Sequence, residues 1–472
     1  MQKEEKHNIH STVRILDEEV KRKKAFKISI KEGSAMSFGS DLGNSLITPL
    51  ATEIGGNSIH IGLISALSGL FSPLVQIKGD RLMESMSRKK IVARFILLQA
   101  IMWLPIALLG LLYSKNILTD SLPWLLIAFY TVLAIAGSFT APSWFSWLGD
   151  LVNEKERGKF FAKRNVYIGI SGIIGLLFGG FILKYFKANN SIFMGFLILF
   201  STSFLFTIIA NYYIKRQYEP KFKLDKKSYF SFFSFIKRFD NYGKFSVYQS
   251  FFNLAIMIAS PFFALYMLEN LGFKNNYMLY MIVSLTSTFF YLLFTPLAGK
   301  FSDKYGNLKL LWISNIFFAI TPLLWIFVKS PLQIIFLPQL SAGIANAALA
   351  IAITNYTYGS ASKEHRGLCM AYTNILIGVG AFFGSIIGGF LIRNITLNAF
   401  NSFIFVFIIA AIARILVALV FLPRLKEVKR VSKLRLHFPI HLSLTRPFRF
   451  LHLEHSILGF LHPKAAKIKF IP

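Results

Sequence analysis

The sequence is poor in charged residues and in cysteine. Only 16% of its 472 residues are charged, against about a quarter in ordinary soluble domains, which is too little charge for a water-soluble surface. The single cysteine, Cys369, excludes an internal disulfide and any cysteine-rich metal site. No Walker loop, HExxH or Gly-x-Ser-x-Gly motif occurs. We therefore expect no enzyme, no catalytic residues, no cofactor and no bound metal.

Long apolar runs take the place of charge. Hydrophobic residues make up 54% of the chain, and blocks of about 20 residues match the length of a helix that crosses a hydrocarbon core of about 30 Å. Only helices satisfy their own backbone hydrogen bonds in lipid, so we predict an all-α polytopic membrane protein. The twelve predicted transmembrane helices are 34–53, 58–77, 91–113, 122–147, 165–186, 192–214, 245–268, 277–298, 309–328, 331–355, 367–392 and 400–422.

The basic residues predict the orientation of these helices. Of the 52 Lys and Arg residues, 45 fall in segments that share one side of the membrane. The positive-inside rule then places both termini in the cytoplasm, and we predict a plasma-membrane location. Residues 1–33 are polar and charged, without the apolar run of a signal peptide. Because topology and anionic lipids explain the net charge of +30, no nucleic-acid partner is expected.

An internal repeat divides the chain into two halves. Residues 157–183 match residues 366–392 at ten positions, and residues 70–81 resemble residues 293–304. Both pairs lie six predicted helices apart, so the halves are parallel repeats. The predicted parts are a cytoplasmic segment (1–33), a six-helix half (34–214), a linker with an interfacial helix (215–244), a second six-helix half (245–423) and a basic cytoplasmic tail (424–472).

The loop after the eighth predicted helix reads Gly299-Lys300-Phe301-Ser302-Asp303-Lys304-Tyr305-Gly306, followed by Lys309. It resembles the signature of the major facilitator superfamily. The first-half copy keeps Asp80-Arg81 but has Gln76 in place of the leading glycine. Arg157-Gly158 and Arg366-Gly367 resemble the Arg-Gly loops before helices 5 and 11 of that superfamily. The resemblance implies two six-helix halves, and it does not specify a substrate.

In the superfamily arrangement, each acidic loop residue faces the start of a helix in the other half. A carboxylate is attracted to a helix N-terminus, so we predict a gating latch that pairs Asp80 with the region of Arg366, and Asp303 with that of Arg157. In the alternative, these charges only set topology and loop turns. The predicted latch residues are Asp80, Arg81, Arg157, Gly158, Gly299, Asp303, Lys304, Gly306, Arg366 and Gly367.

Glycines recur at small-xxx-small spacing in helices 5 and 11, which permits close approach of helix backbones. Superfamily antiporters have a Gly-Pro in helix 5, but Leu176 and Ser385 occupy the two corresponding places here. We therefore predict a packing role without a special antiport function. The glycines concerned are Gly175, Gly179, Gly180, Gly384, Gly388 and Gly389.

Asp41 is the best candidate for a transport residue, because an ionisable group within a span is costly. It would bind a proton or a cation, or else lie solvated near the cytoplasmic end. Asn44 lies one turn away on the same face. Gln249 and Asn253 would line a cavity or join helices by hydrogen bonds. For Arg414, snorkelling to the surface is favoured over contact with an anionic substrate.

These patterns predict a secondary active transporter that moves a small solute by alternating access between the two halves. Its partners would be a small-molecule substrate, a proton or cation as coupling ion, and membrane lipids, and the chain would be a monomer. The alternative is a non-transporting membrane receptor or lipid-handling protein on the same scaffold. The five histidines after residue 427 fit a basic interfacial extension better than a metal sensor, because the tail lacks other ligands.

Overall fold

Helices dominate the computed structural model, which describes residues 2–151, 154–220, 232–237, 240–360, 366–395 and 401–428, without a strand in these ranges. Within them, the side chains of 2–19, 23, 77, 80, 81, 154–159, 162, 366 and 367 are not described. The predicted basic tail beyond residue 428, with its histidines, lies outside the described residues.

The first half contains six long helices. They are α1 (Gln2–Glu53), α2 (Ser58–Leu82), α3 (Arg88–Ser114), α4 (Leu122–Leu151), α5 (Glu154–Ala188) and α6 (Ile192–Arg216).

The linker and the second half follow. They comprise α7 (Phe232–Ile236), α8 (Asn241–Met257), α9 (Ser260–Glu269), α10 (Tyr277–Tyr305), α11 (Asn307–Phe327), α12 (Pro331–Ile334), α13 (Leu340–Ser360), α14 (Arg366–Asn394) and α15 (Ser402–Phe421). A π-helical turn, Ile335–Gln339, joins α12 to α13, so these two helices and the pair α8 and α9 each make one span.

In the described part of the chain, eleven helical segments are long and apolar enough to cross a membrane. The predicted first span, 34–53, is not among them because polar residues such as Asp41 and Asn44 interrupt its apolar character. It is nevertheless the end of α1, and it packs closely on its neighbours: Gly39 contacts α6 at Phe206, and Gly43 contacts α3 at Trp103. Each half thus has six long helical segments, which confirms the predicted fold class.

A short break separates α8 from α9, which begins at Ser260-Pro261. Arg414 lies beside it, only 1% exposed, and its guanidinium donates hydrogen bonds to the carbonyls of Ala255 and Ile256 at 3.3 and 2.9 Å. A third bond of 2.7 Å reaches the Phe318 carbonyl, whose usual helical donor would be the N–H that proline 322 lacks. The snorkelling prediction for Arg414 is therefore wrong, because the side chain caps backbone carbonyls inside the second half.

The glycine sets of α5 and α14 pack in the same way. In each set, the first two glycines face the first long helix of their own half, and the third faces the other half. A Cβ atom built at any of them would crowd the neighbouring helix, as expected for close backbone contact. The contacts are Gly175 with the Phe38 carbonyl, Gly179 with Leu42, Gly180 with Met278, Gly384 with the Leu254 carbonyl, Gly388 with the Ile258 carbonyl, and Gly389 with the Ser58 carbonyl.

The halves meet along two seams, α2 against α14 and α5 against α10. The α2–α14 seam begins where the Ser58 hydroxyl donates to the Gly389 carbonyl at 3.1 Å. It continues to Gly378, where a Cβ atom would lie 2.6 Å from the Gly69 carbonyl oxygen. These helix pairs are the ones that the predicted latch requires.

The α5–α10 seam is tight at one end only. A Cβ atom at Gly180 would lie 3.0 Å from Met278, but further along the same helix faces a Cβ atom at Gly169 or Gly299 would meet nothing within 4 Å. Leu292, on that face of α10, is 60% exposed. The two helices therefore separate. We call the end near Ser58 and Gly180 the closed end, and the end near Gly169 and Gly299 the open end.

The linker contributes one short helix, α7, where an interfacial helix is predicted. Phe235 is buried against Tyr242 and Tyr372, whereas the neighbouring Phe233 is 76% exposed. The helix thus packs on the second half with one aromatic side chain and leaves the next one at the surface, as expected for an aromatic anchor at a membrane interface.

Candidate transport site

The polar face of α1 carries an exposed carboxylate. Asp41 accepts a hydrogen bond of 2.5 Å from the Ser37 hydroxyl, which also lies 3.1 Å from the Ile168 carbonyl oxygen of α5. Both side chains point toward α5, whereas the opposite face of α1 packs on α3 and α6. The arrangement leaves one oxygen of the Asp41 carboxylate, Oδ1, without a hydrogen-bond partner on the described chain.

The position of Asp41 along α1 follows from two ionic groups on the same helix. Toward the open end, Glu32 forms a salt bridge of 3.0 Å with Arg164 of α5, and both side chains are buried. At the closed end, Glu53 is paired with Lys187 at 3.0 Å. At a rise of 1.5 Å per residue, Asp41 lies about 13 Å from the level of Glu32 and about 18 Å from that of Glu53. It therefore lies between the two ion pairs, near the middle of the predicted span 34–53.

Gly172 of α5 makes room for this carboxylate. A Cβ atom at Gly172 would overlap Asp41 Oδ2 and would lie 2.8 Å from Ser37 Oγ. Gly169, one turn earlier on the same helix, has open surroundings. Gly172 was not predicted from the sequence, because it stands outside the matched glycines of the internal repeat.

Asn44 extends the polar face toward α4. Its side-chain oxygen accepts a hydrogen bond of 3.3 Å from the Tyr130 hydroxyl, and Asn44 itself is exposed. The structure therefore places Asp41 and Asn44 on one accessible face, between α5 and α4. Tyr130 adds an aromatic surface to this face that no local sequence pattern indicates.

The two predicted amides of the second half differ from each other. Gln249 is only 2% exposed, and its Oε1 atom has no hydrogen-bond partner in the described part of the chain. Asn253 is half-buried and donates to the Gln249 carbonyl at 3.3 Å within α8. The structure therefore does not bring Gln249 to an accessible surface, in contrast to Asp41 and Asn44.

The second-half loop of the predicted latch is held in place by a glycine turn and by hydrogen bonds of Ser302. Gly306 joins α10 to α11 at φ +100°, a conformation that favours glycine. Ser302 donates to Asn307 at 2.6 Å and accepts from Asn355 at 3.0 Å. Asp303 and Lys304 are exposed at the open end. The other predicted latch residues lie outside those whose side chains are described: Asp80, Arg81, Arg157, Gly158, Arg366 and Gly367.

The buried pair of Glu32 and Arg164 was also missed by sequence reasoning. Arg164 donates further to the carbonyl and hydroxyl oxygens of Ser29, and its guanidinium lies 4.6 Å from the Trp144 ring centroid. The pair links α1 to α5 inside the first half. Its partners are 132 residues apart, so only a pattern of paired substitutions between related sequences would reveal it.

Two bundles of six long helices, joined along two seams with a polar face inside one bundle, define a polytopic membrane transporter. The family model described as "Major Facilitator Superfamily" matches residues 33–286 and 245–462. The chain belongs to this superfamily, and the predicted family is confirmed.

Among curated proteins, the chain is similar to "Multi-drug resistance efflux pump PmrA homolog" of Lactococcus lactis subsp. lactis (strain IL1403). The two are 24% identical over 340 residues, which cover 71% of this chain and 79% of that protein. By its printed name this relative is a homolog of an efflux pump, and its identity to this chain is too low to assign a substrate.

Solved structures show the same fold. The nucleoside transporter NupG is 14% identical, with a TM-score of 0.62 and coverage of 86% of this chain and 98% of that one. A bacterial homolog of the human lysosomal transporter Spinster, in an inward-facing and unoccupied conformation, is 16% identical. Its TM-score is 0.58, with coverage of 86% and 98%. At these identities the comparisons establish the fold and not the solute.

Proposed function

We propose that this protein is a secondary active transporter that moves a small amphipathic solute by alternating access between its two halves. In this proposal, the functional parts are the half at 34–214, the linker at 215–244 and the half at 245–423. The chain acts as a monomer in the plasma membrane, with both termini cytoplasmic, so that the open end faces the cytoplasm.

The observation that carries the proposal is the exposed Asp41 carboxylate near the middle of a spanning helix. A carboxylate at that depth is costly against lipid and is expected to line a wet path or a binding site. Asn44 and Tyr130 add a hydrogen-bonding group and an aromatic face next to it. A cation, or a proton on Asp41 itself, would satisfy the free carboxylate oxygen during transport.

The separation of α5 and α10 supports alternating access. Both seams are closed near Ser58 and Gly180, and only one of them opens toward Gly299. In a rocking motion, the halves would part at the closed end while α5 meets α10 at the open end. Gly180 and Gly389 let the two halves approach closely at the closed end, against Met278 and Ser58, and these contacts would part in the motion.

The substrate class is inferred from charge and from the relative. Arg414 is a basic residue in the interior of α15. Its guanidinium is bonded to backbone carbonyls, so it offers no site for an anionic solute. The printed name of the Lactococcus relative describes multi-drug efflux. We therefore propose drug-like amphipaths, in the direction of export, as the first solutes to test.

The test is transport by the purified protein in liposomes. We expect counterflow of ethidium, a lipophilic cation, and an increase of its accumulation when an opposing pH gradient is imposed. Protein-free liposomes and liposomes with heat-denatured protein serve as controls. Binding of ethidium without counterflow would instead support the alternative of a non-transporting receptor.

A variant of the loop after α10 tests the latch. We expect Asp303→Asn to lower transport about tenfold and to enlarge the population with a parted open end, because the carboxylate no longer attracts the start of α5. The measurement is cysteine labelling at Ile173, on the α10-facing side of α5, in a Cys369→Ser background. Glu84→Gln removes an exposed carboxylate of the first-half loop and is the matched control. Equal labelling of both variants would refute the latch.

A further inference from the structure

A cluster of charged and polar side chains joins the two halves at the closed end. Glu53, the last residue of α1, accepts a hydrogen bond of 2.7 Å from the Tyr277 hydroxyl at the start of α10. It accepts another of 3.0 Å from Lys187 at the end of α5. Lys274, which precedes α10, lies 3.8 Å from the second carboxylate oxygen. Two of these three partners belong to the second half.

The cluster is anchored and partly removed from water. The Glu53 side chain is 10% exposed, against 36% for Lys274. Lys274 also donates to the Thr52 carbonyl at 3.3 Å, so it contacts both the side chain and the backbone at the end of α1. Charge-assisted hydrogen bonds in such surroundings are stronger than those on an open surface.

The location of the cluster matches the difference between the two seams. The α2–α14 seam is held by backbone contacts through Gly69, Gly378 and Gly389. The α5–α10 seam lacks close contact beyond its first turns, and its closed end is where Glu53, Lys274 and Tyr277 meet. The polar cluster thus links the two halves at the seam that has the smaller packed surface.

We propose that Glu53, with Tyr277 and Lys274, is a carboxylate clamp that holds the closed end shut while the open end is accessible. The clamp is distinct from the predicted latch, which lies at the opposite end of the bundle. It rests on the proposed alternating access: opening the closed end must break the hydrogen bond from Tyr277 to Glu53 and the ion pair between Lys274 and Glu53. Lys187 stays with Glu53 within the first half and keeps the carboxylate paired in either arrangement.

The experiment measures distances at both ends of the reconstituted protein. Spin labels at Asn189→Cys and Asn275→Cys report on the closed end, and labels at Val166→Cys and Leu297→Cys report on the open end, in a Cys369→Ser background. We expect Glu53→Gln to raise the ratio of open to shut closed ends at least fivefold, because the ion pair with Lys274 is lost and the hydrogen bond from Tyr277 is weakened. Tyr277→Phe should shift this ratio in the same direction.

Asp120→Asn is the matched control, because it removes an exposed carboxylate from the same end of the first half. Lys187→Met should shift the ratio less than Lys274→Met, since Lys187 contacts Glu53 within one half. An unchanged distance distribution in Glu53→Gln would overturn the clamp, and so would equal shifts from Glu53→Gln and Asp120→Asn. Reduced thermal stability of Glu53→Gln without a distance shift would also overturn it, in favour of a purely structural role.

Two outcomes separate the clamp from the proposed function. If ethidium changes the distances at both ends reciprocally in the unmodified protein but Glu53→Gln behaves identically, alternating access stands and the clamp fails. If Glu53→Gln opens the closed end while the open end never responds to any condition, the clamp stands and alternating access fails.

Discussion

Asp41→Asn is expected to reduce ethidium counterflow by at least tenfold while leaving the protein folded. The substitution keeps the size of the side chain and its ability to accept from Ser37, so the packing of α1 on α5 should not change. It removes the negative charge near the middle of the span, which we propose binds a cation or a proton. Transport rates in liposomes, with thermal stability in detergent as the measure of folding, check this expectation.

Two glycine variants on α5 provide a matched pair for this prediction. Gly172→Ala should also impair transport, because its methyl group would occupy the place of the Asp41 carboxylate. Gly169→Ala adds the same methyl group where nothing lies within 4 Å and should transport normally. Normal transport by Asp41→Asn, or equal loss in both glycine variants, would remove Asp41 from the mechanism.

Arg414→Leu should give the largest loss of stability among the substitutions considered. The leucine would remove the side-chain donor of three backbone carbonyls inside the second half. The Ile256 carbonyl keeps the Ala259 N–H at 3.3 Å, but the other two lose their partner, and each unsatisfied buried group costs about 1–3 kcal/mol. Water is not available there to replace the lost bonds. We expect a drop of more than about 3 kcal/mol in stability, measured as loss of the monodisperse peak and of the melting transition in detergent.

Arg393→Leu makes the same chemical change at an exposed position at the end of α14 and should have little effect. Arg414→Lys keeps the charge, but its single nitrogen replaces a planar guanidinium that bonds to two helices. Its stability should therefore lie between that of the unmodified protein and that of Arg414→Leu. If Arg414→Leu is as stable as Arg393→Leu, the capping role of Arg414 is wrong. A folded Arg414→Leu that loses only transport would point to a solute contact instead.

Asp41 illustrates how far sequence reasoning could go toward the site. Its cost in an apolar span marked it as a candidate, and the helical period placed Asn44 on the same face. The sequence does not fix how deep Asp41 lies in the membrane, because the first span has no sharp apolar boundary. The ion pairs of Glu32 and Glu53 place Asp41 between two ionic groups of the same helix, and both pairs join residues more than 130 positions apart.

For Gln249 and Arg414, in contrast, the sequence could not predict the surroundings of the side chain. Both are polar residues in apolar spans, so both had a functional interpretation and a structural one. Periodicity cannot decide between them, since it states which residues share a face and not what that face meets. The break between α8 and α9 turns backbone carbonyls toward Arg414, and the packing of the second half buries Gln249.

The membrane class, the number of long helical segments, the duplication and the family could all be predicted from the sequence, because span length and repeated glycines are local properties of the chain. Which side chains meet follows from the packing of the helices. The pairing of Glu53 with Lys274 and Tyr277, the space at Gly172 and the carbonyls around Arg414 each depend on how separate helices are placed against one another. That placement is a sum of many weak contacts between distant residues, and no local pattern encodes it.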